Sequence, residues 1–150
     1  MKNNNIITID GPSASGKGSL AKALAKKLNF ILLDSGLLYR AYSYCFDQSQ
    51  NHSGATELFS KLRIDSIEHE MRVFEQKKDI TSILRHENVA KSASKLSSLK
   101  ETRDNLISFQ RDLASNHGLV ADGRDMGTVV FPDAGTKIFL VADAEVRAKR

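Results

Sequence analysis

A chain of 150 residues with 41% hydrophobic and 27% charged content has the make-up of one globular domain, long enough to bury a core of its own. No apolar run approaches the roughly 20 residues that cross a bilayer, and the polar start Met1-Lys2-Asn3-Asn4-Asn5 lacks the apolar stretch of a secretory signal, so a cytoplasmic chain with no membrane partner is expected. The single cysteine, Cys45, excludes an internal disulfide and reads as a small buried helix residue, while the net charge of +4 is scattered along the chain, which disfavours a nucleic-acid polymer as partner.

Ile6-Ile7-Thr8-Ile9-Asp10 is a β-branched run that stops at Gly11-Pro12, the pattern of a buried strand entering a loop. From Lys17 the apolar positions Leu20, Leu24 and Leu28, with Ala21 and Ala25 beside them, recur at helical spacing, and Lys22, Lys26 and Lys27 fall on the opposite, solvated face. Phe30-Ile31-Leu32-Leu33 predicts a second strand ending at Asp34-Ser35-Gly36. Leu37, Leu38, Ala41, Tyr44 and Cys45 then predict a second helix. Strand alternating with helix across short loops argues for a parallel sheet, because parallel strands need a crossover and the crossover is usually a helix.

Between roughly Gln48 and Asp79 the periodicity weakens into short pieces such as Met71-Arg72-Val73-Phe74, which predicts an inserted subdomain of small strands ahead of helices from about Ile83. Two helices follow, the second directing Leu99, Leu106, Phe109 and Leu113 inward before Asn116-His117-Gly118 stops it. Leu119-Val120-Ala121 predicts a third strand. Lys137 to Val141 predicts a fourth, after the turn Pro132-Asp133-Ala134-Gly135, and a last helix begins near Ala144.

Gly11-Pro12-Ser13-Ala14-Ser15-Gly16-Lys17 matches G-x-x-x-x-G-K and lies between a predicted strand and a predicted helix, the context this phosphate-binding loop requires. Its glycines let backbone N–H groups fold around phosphate oxygens, the helix N-terminus adds positive potential, and Lys17 reaches the β- and γ-phosphates. Gly18 stands where GTPases and motor ATPases carry the Mg²⁺-ligating hydroxyl, and the hydroxyl arrives one residue later at Ser19. Lys-Gly-Ser resembles the variant of nucleoside monophosphate kinases, in which phosphates and water hold most of the magnesium.

Two polar clusters end predicted strands, where open α/β sheets bind ligands: Asp34-Ser35-Gly36 with Tyr39-Arg40, and Asp122-Gly123-Arg124-Asp125-Met126-Gly127-Thr128. The second reads as a tight polar loop, and a structural ion pair of Arg124 with Asp122 or Asp125 is its plainer interpretation. The runs Ile7 to Lys17, Leu33 to Arg40 and Ala121 to Pro132 together resemble bacterial cytidylate kinases, and the likeness covers essentially all of the chain outside the weakly patterned insert. That resemblance implies one P-loop NTPase-type α/β domain over residues 1–150, with flanking helices and a small nucleoside-monophosphate-binding insert at roughly 48–83. It implies transfer of the γ-phosphoryl of ATP to CMP or dCMP by a monomer. The donor would lie on Gly11, Pro12, Ser13, Ala14, Ser15, Gly16, Lys17, Gly18 and Ser19. The acceptor phosphate would lie on Ser35, Arg40 and Arg124, and the cytosine on Ser94, Arg103 and Asp125, with Lys17, Arg40 and Arg124 as the catalytic charges. No residue is assigned as a direct metal ligand. Mg²⁺ would sit on phosphates and water near Ser19 and Asp122. The family pattern continues past position 150 with an arginine-bearing lid, a last strand and a helix, none of which is in this chain. Two other readings accompany it: a nucleotide-binding module with little turnover, and another small-molecule P-loop kinase such as an adenylate or shikimate kinase.

Overall fold

A computed structural model describes residues 3–114 and 117–149. Met1, Lys2, the expected helix stop at Asn116, and the terminal Arg150 lie outside the described residues. The β-branched run becomes the inner part of β1 (Asn3–Asp10), followed by α1 (Lys17–Leu28), β2 (Ile31–Asp34) and α2 (Ser35–Ser49). Next come α3 (His52–Ser60), β3 (Arg63–Ile67), β4 (Glu70–Glu75), β5 (Lys78–Asp79), α4 (Thr81–Leu84), α5 (Glu87–Ser97) and α6 (Lys100–Asp112). The chain continues through β6 (Leu119–Gly123), a π-helical turn (Met126–Val130), β7 (Ala134–Phe139) and α7 (Ala144–Ala148).

The chain divides into two compact units. The first comprises Met1–Ser35, Glu68–Glu70 and Gln110–Arg150. It holds a parallel four-stranded sheet of order β2-β6-β1-β7, so the fold is the expected α/β type. Helix α1 packs on this sheet through its smallest residues: Ala21 and Ala25 are fully buried with Ile9, Leu32 and Val120, while Leu20 and Leu24 flank them. Two alanines at i and i+4 let the helix backbone approach the strands closely, and Leu28, expected in the same stripe, is exposed instead. On the sheet's edge strand Phe139 is 69% exposed, and Val141 just beyond it is 71% exposed.

The second unit comprises Gly36–Ile67 and Met71–Phe109, and includes the three-stranded sheet β3-β4-β5. Where the sequence predicts only small strands, the chain first forms α3. Asn51 caps that helix by accepting a hydrogen bond from the Gly54 amide at 2.7 Å, and Ala55 and Phe59 bury one turn apart. Tyr42 is buried with its hydroxyl 2.9 Å from His52 Nδ1 and accepting from Asn105 Nδ2 at 3.1 Å, which satisfies a polar atom that burial would otherwise strand. Cys45 is buried as expected, and burial first, then the Glu75 carboxylate, pushes its thiol up to about 12, so it is no nucleophile.

The second of the predicted helices also differs in detail. Leu106 is fully buried, but Leu99 precedes α6 and is exposed, and the helix ends at Asp112. Strand β7 starts at Ala134, three residues ahead of the expected Lys137, because the Pro132 turn is shorter than its composition suggests. Among the described residues no helix is long and apolar enough to cross a membrane.

Candidate active site

Parallel register brings the polar ends of three strands in the first unit to one edge: Asp10 pairs with Gly123, Ile9 with Asp122, and Asp122 in turn with Asp34. Strand β1 is flanked by β6 on one side and β7 on the other, so the chain leaves β1 where the strand order reverses, the place at which open α/β sheets leave a crevice for ligands. The loop that follows ends at Gly16, which adopts φ 91° and ψ 5°, a left-handed conformation that favours glycine. No side chain caps α1 and no acid lies in its first turn, so the first amides of a 12-residue helix are left to receive an anion. Lys17, Gly18 and Ser19 form that turn, the last two exposed.

The Lys17 ammonium is 3.7 Å from Asp122 Oδ1, an ion pair whose side chains are only 19% and 13% exposed. That Asp122 oxygen is buried and accepts no hydrogen bond from the described residues. Burial raises the Asp122 carboxyl to about 6; Lys17 opposes the shift, and the Asp34 and Asp10 carboxylates add to it. Among the described residues no group of three or more His, Cys, Asp or Glu is arranged to hold a metal ion.

The raised Asp122 carboxyl makes stability depend on pH. The folded value of about 6 exceeds the ordinary 3.8, so the folded state keeps the proton over that window while the unfolded chain loses it. Stability from the protonated form is therefore complete below about pH 4 and is lost as the pH rises to about 6. Asp122→Asn, neutral throughout, should be more stable than the parent by about 2 kcal/mol above pH 6, with the difference closing below pH 4. Urea unfolding of both proteins at pH 4 and pH 7.5 checks this, and equal midpoint shifts at the two pH values would contradict it.

The cluster from Asp122 to Thr128 is only partly a loop. Asp122 and Gly123 end β6, and Met126–Val130 coil into the π-helical turn, where the Asp125 carbonyl accepts from the Val129 and Val130 amides at 2.9 and 3.2 Å. Arg124 reaches the phosphate loop, its Nη2 donating to Ser13 Oγ at 2.6 Å. Below it, the buried Asp10 carboxylate accepts from the Met126 and Gly127 amides, each at 2.8 Å. A Cβ on Gly127 would lie 2.7 Å from Thr8 Oγ1 and 3.3 Å from Asp10 Oδ2, so only glycine permits this approach.

Sequence reasoning passed over Asp10, which it took as the last residue of a strand. The available signal was a carboxylate closing an otherwise apolar β-branched run, a group that must find hydrogen-bond donors if buried. The remaining predicted residues are placed as follows. Ser35, buried, opens α2 directly after β2, and Asp125 is half-buried beside exposed Arg124 in the first unit. Arg40 on α2, half-buried, and the exposed Ser94 on α5 and Arg103 on α6 belong to the second unit. Ser94 sits among neighbouring hydroxyls, its carbonyl accepting from Ser97 Oγ at 3.0 Å.

A family model described as Cytidylate kinase matches residues 7–150. The chain is 46% identical to "Cytidylate kinase 2" of Haemophilus influenzae over 97% of its length and 68% of the relative's. It is 45% identical to a cytidylate kinase of Mannheimia succiniciproducens over its whole length and 69% of the relative's. A third, from Pseudomonas syringae pv. tomato, is 44% identical over 97% of this chain and 67% of its own. The chain thus spans about two thirds of the length of these curated relatives, and it belongs to the cytidylate kinase family.

Proposed function

We propose that this chain transfers the γ-phosphoryl of ATP to CMP or dCMP, giving ADP and CDP or dCDP. The observation that carries the reading is the guanidinium of Arg124 bonded to Ser13 of the phosphate loop, a fork for an acceptor phosphate held next to the loop that binds the donor. Family membership adds the identity of the acceptor. Phosphoryl transfer asks a protein mainly to align donor and acceptor and to neutralise equatorial oxygen charge. Gly11 to Ser19 supply amides and the Lys17 ammonium to the donor, while Ser35, Arg40 and Arg124 hold the phosphate of CMP, which is itself the nucleophile. No enzyme nucleophile is required.

The residues present fit magnesium carried by its nucleotide. The buried Oδ1 of Asp122, ion-paired with Lys17 but accepting no hydrogen bond from the described residues, is a hard acceptor suited to a metal-bound water. Asp122 and Ser19 would hold that water shell, and the ion when bound would neutralise charge on the triphosphate. All assigned groups lie in one chain, which supports a monomer as the acting unit.

Ser94, Arg103 and Asp125 are assigned to cytosine by residue type: a carboxylate accepts from the 4-amino group and a guanidinium donates to O2 or N3. Uracil presents a carbonyl at position 4, which a carboxylate cannot satisfy. Asp125→Asn should therefore narrow the CMP-to-UMP ratio of kcat/KM by about tenfold, since the amide can donate to that carbonyl. An unchanged ratio would remove Asp125 from the base site. The reading as a whole is tested by a coupled ADP-release assay with CMP, dCMP, UMP, AMP and shikimate as acceptors. CMP and dCMP should be preferred; preference for AMP or shikimate would name a different kinase, and tight nucleotide binding with no turnover would leave a binding module.

A further inference from the structure

Strand β1 ends in a carboxylate that the transfer chemistry does not call on, and its partners lie 116 and 117 residues away. Asp10 is 7% exposed, yet both of its oxygens are satisfied by the two successive amides that open the π-helical turn, Met126 and Gly127. These amides come directly after Arg124 and Asp125. The turn is thus tied to the phosphate-loop region twice, by Asp10 at its base and by the Arg124 to Ser13 bond at its top. Asp10 itself is fixed by the sheet: its carbonyl accepts from the Leu140 amide at 2.8 Å, and its backbone is in register with Gly123 and Phe139. A rigid anchor gripping adjacent N–H groups sets both the height and the rotation of the turn. The neighbouring side chains then hold one orientation.

We infer that Asp10 is a positioning residue for the acceptor half of the reaction, its carboxylate holding the 124–127 turn so that Arg124 faces the phosphate loop and Asp125 keeps its place beside it. The inference rests on the CMP kinase reading for what those two residues bind. Asp10→Asn keeps the shape but offers one acceptor where two are needed, and it turns an amide NH2 donor toward a backbone N–H donor. In the folded variant the KM for CMP should rise about tenfold and kcat should fall by a similar factor, with the KM for ATP changing less than about twofold, because the backbone leading into the phosphate loop stays pinned in the sheet.

A role confined to stability would lower the melting temperature and leave both KM values of the folded enzyme alone. Coupling is read from a double-mutant cycle. In an Arg124→Ala background, Asp10→Asn should add clearly less than its full, roughly tenfold effect to the CMP KM, because only the Asp125 contact remains to be displaced, whereas full additivity would overturn the inference. Gly127→Ala, which forces the same amide off the carboxylate through Thr8, should reproduce the CMP-selective loss and serves if Asp10→Asn does not fold. Amide hydrogen exchange at Met126 and Gly127 provides a readout independent of catalysis and should accelerate at least tenfold in Asp10→Asn. A parent protein that does not phosphorylate CMP would sink the function reading. A parent that does so, with Asp10→Asn and Gly127→Ala kinetics unchanged, sinks the positioning role alone.

Discussion

Lys17→Ala is expected to lower kcat by about 10³-fold while leaving the affinity for CMP within about twofold of the parent, because on the proposed function its charge would meet oxygens that gain negative charge only as the donor phosphoryl departs. The surroundings of Lys17 explain why the loss should be so selective. It opens α1 directly after the left-handed Gly16, and its side chain is largely screened from water, which strengthens its field at the loop. Without nucleotide its partner is Asp122, at 3.7 Å. Alanine leaves that carboxyl buried and without the cation that lowers its pKa, so Asp122 should titrate above its present value of about 6. Lys17→Ala should therefore also be less stable than the parent above that pH, and adding Asp122→Asn should recover the stability without recovering kcat. Steady-state kinetics with CMP titration and urea unfolding separate the two effects. Equal loss of CMP affinity would place Lys17 with the acceptor.

Much of this site is visible in the sequence because its parts are local. The phosphate loop is one uninterrupted motif between a β-branched run and an alanine-leucine stripe, and each flank is long enough for its period to show. Strands β2 and β6 are similarly marked by short apolar runs ending in polar residues. What escapes is non-local or short. The Asp10 carboxylate satisfies amides more than a hundred residues away, so no spacing announces it, and the π-helical turn that depends on those bonds reads as loop composition. Helix α3 spans nine residues with Gly54 inside it, too brief for periodicity to outweigh composition, and only the Asn51 cap marks its start. Leu99 looks like the first core residue of a helical stripe but lies ahead of α6 and is exposed, because the stripe's period applies only once the helix has begun.

Arg124→Ala is expected to lower kcat/KM for CMP by about 10³-fold through both a higher KM and a lower kcat, since on the proposed function its guanidinium would grip the acceptor phosphate in the ground state and neutralise charge in transfer. Arg40→Ala should show the same double effect if its guanidinium shares that phosphate. The competing view is that Arg124 merely ties the 124–127 turn to the phosphate loop through Ser13. The two views differ in Ser13→Ala, which removes the bonded hydroxyl and leaves the guanidinium in place. A surface hydrogen bond of this kind contributes about 1 kcal/mol, so Ser13→Ala should cost less than about tenfold and should not favour one substrate over the other. Arg124→Lys provides the second comparison. It keeps the charge but loses the fork, and should recover part of the binding while leaving kcat well below the parent, because a single ammonium cannot match two phosphate oxygens at once. Measuring the four variants against CMP at saturating ATP decides the matter: if Ser13→Ala is as damaging as Arg124→Ala, the arginine is a structural tie and the acceptor charge comes from Arg40, whereas a fully active Arg124→Lys would show that charge at this position suffices without the fork.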